Sequence, residues 1–162
     1  MASRFVGRYE HSLDGKGRVI LPARFRSNFE TLAFVSKHEE GCLAIWTPEA
    51  FDRKMEEMAL LLAGTPEERQ QARAWSMGSA EVEMDKTGRV AIPSYLRQFA
   101  RLADGQTVLV HGAITHLELW DPGLWEIQGA PGDARLVGAG VPAAPPTPVT
   151  PAGMPPDDPQ GE

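Results

Sequence analysis

The sequence predicts an α+β fold with a mainly β core, built as a pseudo-twofold internal repeat of one small unit with helices at its periphery. Three observations carry this. Residues 14–26 read DGKGRVILPARFR and residues 85–97 read DKTGRVAIPSYLR, sharing an Asp, a Gly, an Arg, a Val, a Pro and a second Arg at one fixed offset. Further on, LAIWTPEAF (43–51) lines up with LELWDPGLW (117–125), matching Leu43 with Leu117, Trp46 with Trp120 and Pro48 with Pro122. Between these landmarks lie short β-branched stretches punctuated by glycine-rich turns. A unit of about 45 to 50 residues is too small to hold a core alone, so the two copies should pack on each other.

Taken in order, FVGRYEHSLD (5–14) alternates loosely and reads as a strand, and RVILP is short and β-branched. Between them Asp14-Gly15-Lys16-Gly17 supplies the positive φ angles of a tight reversal, so the three together predict a hairpin. In the second copy AEVEMD, Lys86-Thr87-Gly88 and RVAIP repeat the pattern. Pro22 and Pro93 end their strands, having no N–H for a ladder, and stand where the short helices ARFRSNF and SYLRQFAR begin. A second strand pair follows in each unit: LAFVSKH with CLAIW, and TVLVHGA with HLELW.

After CLAIW, Thr47-Pro48-Glu49 starts a helix with a capping hydroxyl, a first-turn proline and an acid near the positive end of the dipole. Phe51, Met55, Met58 and Leu62 recur at helical spacing as one apolar face, and Gly64 should stop it. Thr65-Pro66-Glu67-Glu68 is a capping box opening a second helix to about Met77, with Gly78 as its stop. The second copy has only the brief DPGLWEI. Residues 129–162 hold nine of the 14 prolines and six of the 16 glycines and no aromatic residue, so they predict a disordered, partly polyproline-like tail. The expected organisation is a first unit over 4–50, a helical pair over 51–78 belonging to it, a second unit over 79–128, and the tail over 129–162.

The 162-residue chain has a formal charge of −6, which taken as an average argues against a nucleic-acid partner. The average hides a gradient. Residues 1–38 carry seven basic and three acidic groups, while every later segment is acidic. No apolar run is long enough to span a bilayer and the N-terminus lacks a signal peptide's apolar core, so the expected location is cytoplasmic, with no membrane partner. The single Cys42 cannot form an intrachain disulfide and reads as a small buried hydrophobe.

Enzyme readings fail for lack of parts. There is no G-x-S-x-G, P-loop, H-E-x-x-H or dinucleotide fingerprint. His111 and His116 flank a turn, His11 and His38 are scattered, and no metal site, cofactor or small-molecule substrate is expected. Glu39-Glu40 and Glu56-Glu57 read as a charged turn and a solvated helix face.

The repeated Asp-x-x-Gly-Arg element puts a cation at the lip of a turn twice. Arginine presents a planar fork that fits either the O6 and N7 edge of guanine or a phosphate, whereas lysine acts as a point charge. Arg18 and Arg89 are therefore the principal candidates, with Lys16 and Lys86 able to reach phosphate. Asp14 and Asp85 suit a turn-structuring role through bonds to backbone N–H groups, as do Gly15, Pro22 and Pro93. Arg24 and Arg26 in copy one, and Arg97 in copy two, follow on the short helices. Spacing alone stops at an anionic ligand.

Phe5-Val6-Gly7, LDGKGRVILPARFR, Trp46-Thr47-Pro48 and EMDKTGRVAIPSYLR, in that order, resemble the MraZ family of bacterial transcriptional regulators, over about residues 4–127. The resemblance implies two tandem AbrB-like units forming a swapped-hairpin β-barrel, and a ring-shaped homo-oligomer associated with the nucleoid. It further implies binding to double-stranded DNA at repeats in the promoter of the division and cell wall gene cluster. The family's DNA-reading motif falls on Asp14, Lys16, Gly17 and Arg18, and again on Asp85, Gly88 and Arg89. The second motif departs from it, with Thr87 where the first has Lys16 and its lysine one place earlier, at Lys86. An alternative from another class is a protein-interaction module like the antitoxins that share this barrel type, which usually carry one such motif rather than two.

Overall fold

The computed structural model describes residues 3–129 and 131–138. Over 3–129 it is a mixed α/β structure with an antiparallel sheet core. A six-stranded sheet runs in the order β1-β7-β8-β4-β3-β5, and a two-stranded ribbon pairs β2 with β6. The strands are β1 (Arg8–Ser12), β2 (Arg18–Ile20), β3 (Leu32–Lys37), β4 (Leu43–Trp46), β5 (Ser79–Glu83), β6 (Arg89–Ala91), β7 (Thr107–Gly112) and β8 (Leu117–Trp120).

The pairing corrects the hairpin expectation. The turn at Asp14 closes, with its N–H donating to the Arg18 carbonyl at 2.9 Å, but the strands it joins diverge. β1 pairs with β7 of the second copy (Arg8 opposite His111), and β2 pairs with β6 (Val19 opposite Val90). The second copy does the same in reverse: β5 pairs with β3, and only a single bridge, Met84 to Val90, joins the two arms of its own turn. β4 also pairs with β8 across the repeat boundary. The expected second strand pairs within each copy, β3 with β4 and β7 with β8, are present. Each copy thus lends strands to the other, as expected of units too small to bury their own apolar faces.

The shared core explains the exchange. Val19 and Val90, facing one another in the ribbon, are both fully buried, together with Phe5, Phe25 and Phe29 from copy one and Leu96, Leu117 and Leu119 from copy two. Phe5 packs tilted against Phe25 and Phe29 at 5.4 and 5.5 Å. Each such side chain contributes about 1.5 to 3 kcal/mol when fully buried, and the cluster that buries them draws on both copies.

Pro22 precedes a 3-10 segment (Ala23–Asn28), and Pro93 precedes the helix α3 (Ser94–Phe99) in the equivalent place. α1 (Pro48–Leu61) starts with the Thr47 hydroxyl accepting from the Ala50 N–H, and α2 (Pro66–Met77) carries both bonds of the Thr65–Glu68 capping box. α1 ends at Leu61, ahead of Gly64, and its apolar face is narrower than the spacing suggested. Phe51 and Met58 are buried, with Phe51 stacked between Phe34 and Trp75, but Met55 and Leu62 are half exposed. α4 (Pro122–Gln128) is capped by the Asp121 carboxylate.

Within the segment read as a disordered tail, residues 131–136 form a short helix, α5 (Pro131–Leu136), none of whose residues is buried. Pro131 stands at its first position, where a missing N–H costs nothing. The rest of that segment, 139–162, lies outside the described residues.

Candidate nucleic-acid interface

The two arginine-bearing turns are built alike. Asp14 Oδ1 accepts from the backbone N–H groups of Lys16 and Arg18, both at 2.9 Å, and its Oδ2 accepts from Arg18 Nε at 2.7 Å. Asp85 Oδ1 accepts from Thr87 and Arg89 N–H at 2.9 Å, and its Oδ2 from Arg89 Nε at 2.8 Å. One carboxylate in each turn closes the backbone and holds the arginine. Among the described residues no hydrogen bond or ion pair engages the terminal guanidinium nitrogens of Arg18 or Arg89, which leaves both forks free at the end of a fixed stem.

These bonds hold both carboxyls below the usual carboxylate range, Asp85 strongly so. For Asp14 the first cause is the Arg18 backbone N–H; for Asp85 it is the Arg89 backbone N–H, followed by the Thr87 hydroxyl.

The ribbon aligns the two sites. Arg18 lies opposite Ala91 and Ile20 opposite Arg89. Residues two apart share a face and cross-strand partners share it too, so Arg18, Ile20, Arg89 and Ala91 form the outer face while Val19 and Val90 form the inner one. The two arginine Cα atoms are about 8 Å apart, two residues along and one strand across.

Gly17 and Gly88 occupy the turn position with positive φ, at 72° and 85°. Each also lies beneath an arginine of the other copy. A Cβ on Gly17 would meet Arg97 Cζ at 2.6 Å, and one on Gly88 would meet the Arg26 side chain closer still. Arg26 Nε donates to the Leu21 carbonyl at 2.9 Å and Arg97 Nε to the Ile92 carbonyl at 3.0 Å. The backbone crosses over as well, since Leu21 N–H donates to the Gly88 carbonyl and Ile92 N–H to that of Gly17. Arg26 and Arg97, expected as ligand contacts, are thus placed as braces between the turns, and Arg97 Nη1 also pairs with Asp104 at 2.6 Å. Arg24 is exposed, 3.1 Å from the Tyr9 hydroxyl and over the Phe25 ring. Lys16 and Lys86 are exposed at the turn tips, and Pro22 and Pro93 lie behind the ribbon at the start of the short helices.

The bracing was missed by sequence reasoning, although its signal was visible: the second shared arginine of the repeat, Arg26 and Arg97, is eight residues past the first in both copies. A second missed cluster brings His38, Cys42, His116 and Glu118 together. The sequence expectation treated these histidines as unrelated and Cys42 as packing only. The β4–β8 register, which sets Ala44 opposite Glu118, is what joins them.

Fold and site together describe a duplicated antiparallel scaffold whose two-stranded ribbon presents two carboxylate-held arginine forks on one face. The chain belongs to the MraZ family: the family described as "MraZ protein, putative antitoxin-like" matches residues 4–74 and 76–131. It is similar to "Transcriptional regulator MraZ" of Roseiflexus sp. (strain RS-1), 34% identical over 122 residues covering 75% of this chain and 84% of the relative. The protein of the same name from Desulfitobacterium hafniense (strain DSM 10664 / DCB-2) is 37% identical over 121 residues, covering 75% and 83%. That of Lachnoclostridium phytofermentans is 38% identical over 122 residues, covering 75% and 84%. These relatives are named as regulators, not enzymes. No helix among the described residues is long and apolar enough to cross a membrane.

Proposed function

We propose that the chain is a sequence-specific transcriptional regulator that binds double-stranded DNA through the outer face of the β2–β6 ribbon. The single observation that carries this reading is the pair of carboxylate-held arginines, Arg18 and Arg89, on one face of a two-stranded ribbon. A ribbon of this width fits the major groove, where an arginine fork reads the O6 and N7 edge of guanine. Lys16 and Lys86 at the turn tips fix register on phosphate, and the exposed Arg24 adds to the positive charge of the first copy. Arg26 and Arg97 act as positioning residues that keep the two turns in step. The family membership supports the finer points: AbrB-like swapped-hairpin barrel units, a cytoplasmic and nucleoid-associated protein, and repeats in the promoter of the division and cell wall gene cluster as the target.

An acidic chain binds DNA weakly as a lone subunit, so the reading includes assembly into a homo-oligomeric ring. Successive subunits then engage successive DNA repeats at high effective concentration. The half-exposed Met55 and Leu62 and the exposed Leu60 of α1 are available for contact between subunits. The test is a gel-shift titration on a promoter fragment carrying the repeats, with salt varied. Wild type should bind with affinity falling steeply as salt rises, and Arg18→Ala should lose specific binding while remaining folded. Undiminished binding by both Arg18→Ala and Arg89→Ala would sink the assignment.

A further inference from the structure

We propose that His38, Cys42 and Glu118, with His116 closing the fourth position, form a zinc site at the seam where β4 meets β8. The ligand atoms of His38, Cys42 and Glu118 all lie within 4.8 Å of one another. Both imidazoles bring Nε2 to the same carboxylate oxygen: His116 Nε2 is 3.3 Å and His38 Nε2 3.9 Å from Glu118 Oε1. Neighbouring donors in a tetrahedral zinc shell are about 3.4 Å apart, so His38, Cys42 and Glu118 must close by up to about 1.4 Å, and His116, set beside Glu118 Oε1 but outside that group of three, must swing in to complete the shell. The donor set, one thiolate, two imidazoles and a carboxylate, suits zinc in both softness and number.

The ligands come as two short pairs, His38 with Cys42 and His116 with Glu118. The first is fixed by a tight loop in which His38 N–H donates to the Cys42 carbonyl at 3.0 Å. The second sits on β8 and the residue just before it. Because β4 and β8 belong to different copies, a bound ion would pin the two repeats together.

The surroundings supply the outer contacts that metal ligands require. Trp120 Nε1 donates to Glu118 Oε2 at 2.8 Å, which leaves Oε1 directed at the imidazoles. The Thr115 hydroxyl lies 2.9 Å from His116 Nδ1, so with Nε2 on the metal the Nδ1 proton has an acceptor. Trp46 stacks on the His116 ring at 4.2 Å and fixes its plane. One local bond must give way: the Glu40 N–H now points at His38 Nδ1 at 3.3 Å, and that nitrogen carries the proton once Nε2 coordinates. Glu40 is exposed, so water can take the released N–H.

Access fits as well. His38 and His116 line a cavity of about 500 Å³, walled by Met58 and Trp75, through which an ion can enter.

The full-length protein is stripped with chelator and titrated first with Co²⁺, then with Zn²⁺ against a chromophoric chelator. One ion per chain is expected, with an intense near-ultraviolet thiolate-to-cobalt band, tetrahedral visible bands, and release of about one proton per ion near neutral pH from the thiol. Cys42→Ala should lose the thiolate band. His38→Ala, a change in a partly exposed loop, should weaken zinc binding more than about 100-fold, and Thr115→Ala about 10-fold, the size usual for an outer contact. Absence of the thiolate band in wild type, or zinc binding by His38→Ala as tight as wild type, would overturn the site. Neither readout depends on DNA.

Discussion

The turn at Asp14–Arg18 and the turn at Asp85–Arg89 agree in every corresponding hydrogen-bond length to within 0.1 Å, yet their tips differ. In the first turn Gly15-Lys16 puts a cation at the residue whose N–H the aspartate holds. In the second that residue is Thr87, whose hydroxyl adds a 2.7 Å bond to Asp85 Oδ1. Arg18 is also the more enclosed fork, its side chain 27% exposed against 38% for Arg89. The frame that holds the arginine is the same in both copies, while at the tip the lysine moves one place earlier, to Lys86, and its position goes to a threonine that adds an internal bond. On the proposed DNA-binding role, the two turns should therefore engage with the same geometry and unequal strength.

Removing the forks gives the largest effect. Each bidentate arginine–guanine pair is worth about 1 to 3 kcal/mol of discrimination, and a ring multiplies the loss over several subunits. Arg18→Ala should abolish specific binding in a gel shift, and Arg89→Ala should weaken it by about 10- to 100-fold. Equal losses would mean that the difference at the tips has no bearing on binding.

The glycines come next. Alanine at Gly17 or Gly88 must adopt a left-handed φ, at roughly 1 kcal/mol, and must also displace the bracing arginine of the other copy. Stability should fall by about 1 to 3 kcal/mol in denaturant titrations, more for Gly88, whose Cβ would sit deeper in the Arg26 side chain than one on Gly17 would in Arg97. A neutral Gly88→Ala would show that Arg26 is not a brace. Smaller again is Lys16→Ala, which should lower affinity evenly across sequences and reduce the salt dependence by about one phosphate contact per subunit engaged.

Much of this was legible because it is local. The Asp, Gly and Arg of each turn, the proline that ends each ribbon strand, and the Thr-Pro helix starts all act on neighbours within four residues. The strand exchange was not legible in the residues themselves, only implied by the family resemblance, because the turns look the same whether their arms pair with each other or with the other copy. What decides is a core in which Val19 must face Val90, and that is a property of both copies at once. The packing of Arg26 and Arg97 was hidden for the same reason: on a short helix each looks like a free cation, and only the crossed turns show it lying on a glycine of the opposite repeat. The His38–Cys42–Glu118 cluster depends on a register between strands more than 70 residues apart, for which no spacing rule exists.

The finest distinction between the turns lies in their aspartates. Both carboxyls are depressed in the folded protein, so the stability they contribute is fully present above the ordinary carboxylate pKa and is lost as pH falls through their lowered values. The turns should hold their arginines throughout the neutral range and begin to release them only well below about pH 4. Asp85 has one acceptor bond more than Asp14, from the Thr87 hydroxyl, which is the second largest cause of its depression. Thr87→Ala should therefore raise the Asp85 pKa toward that of Asp14 while leaving Asp14 unchanged, read by carboxyl carbon NMR titration. An Asp85 that titrates alike with and without Thr87 would place the effect in the backbone N–H groups and the Arg89 side chain, which the first turn shares in kind.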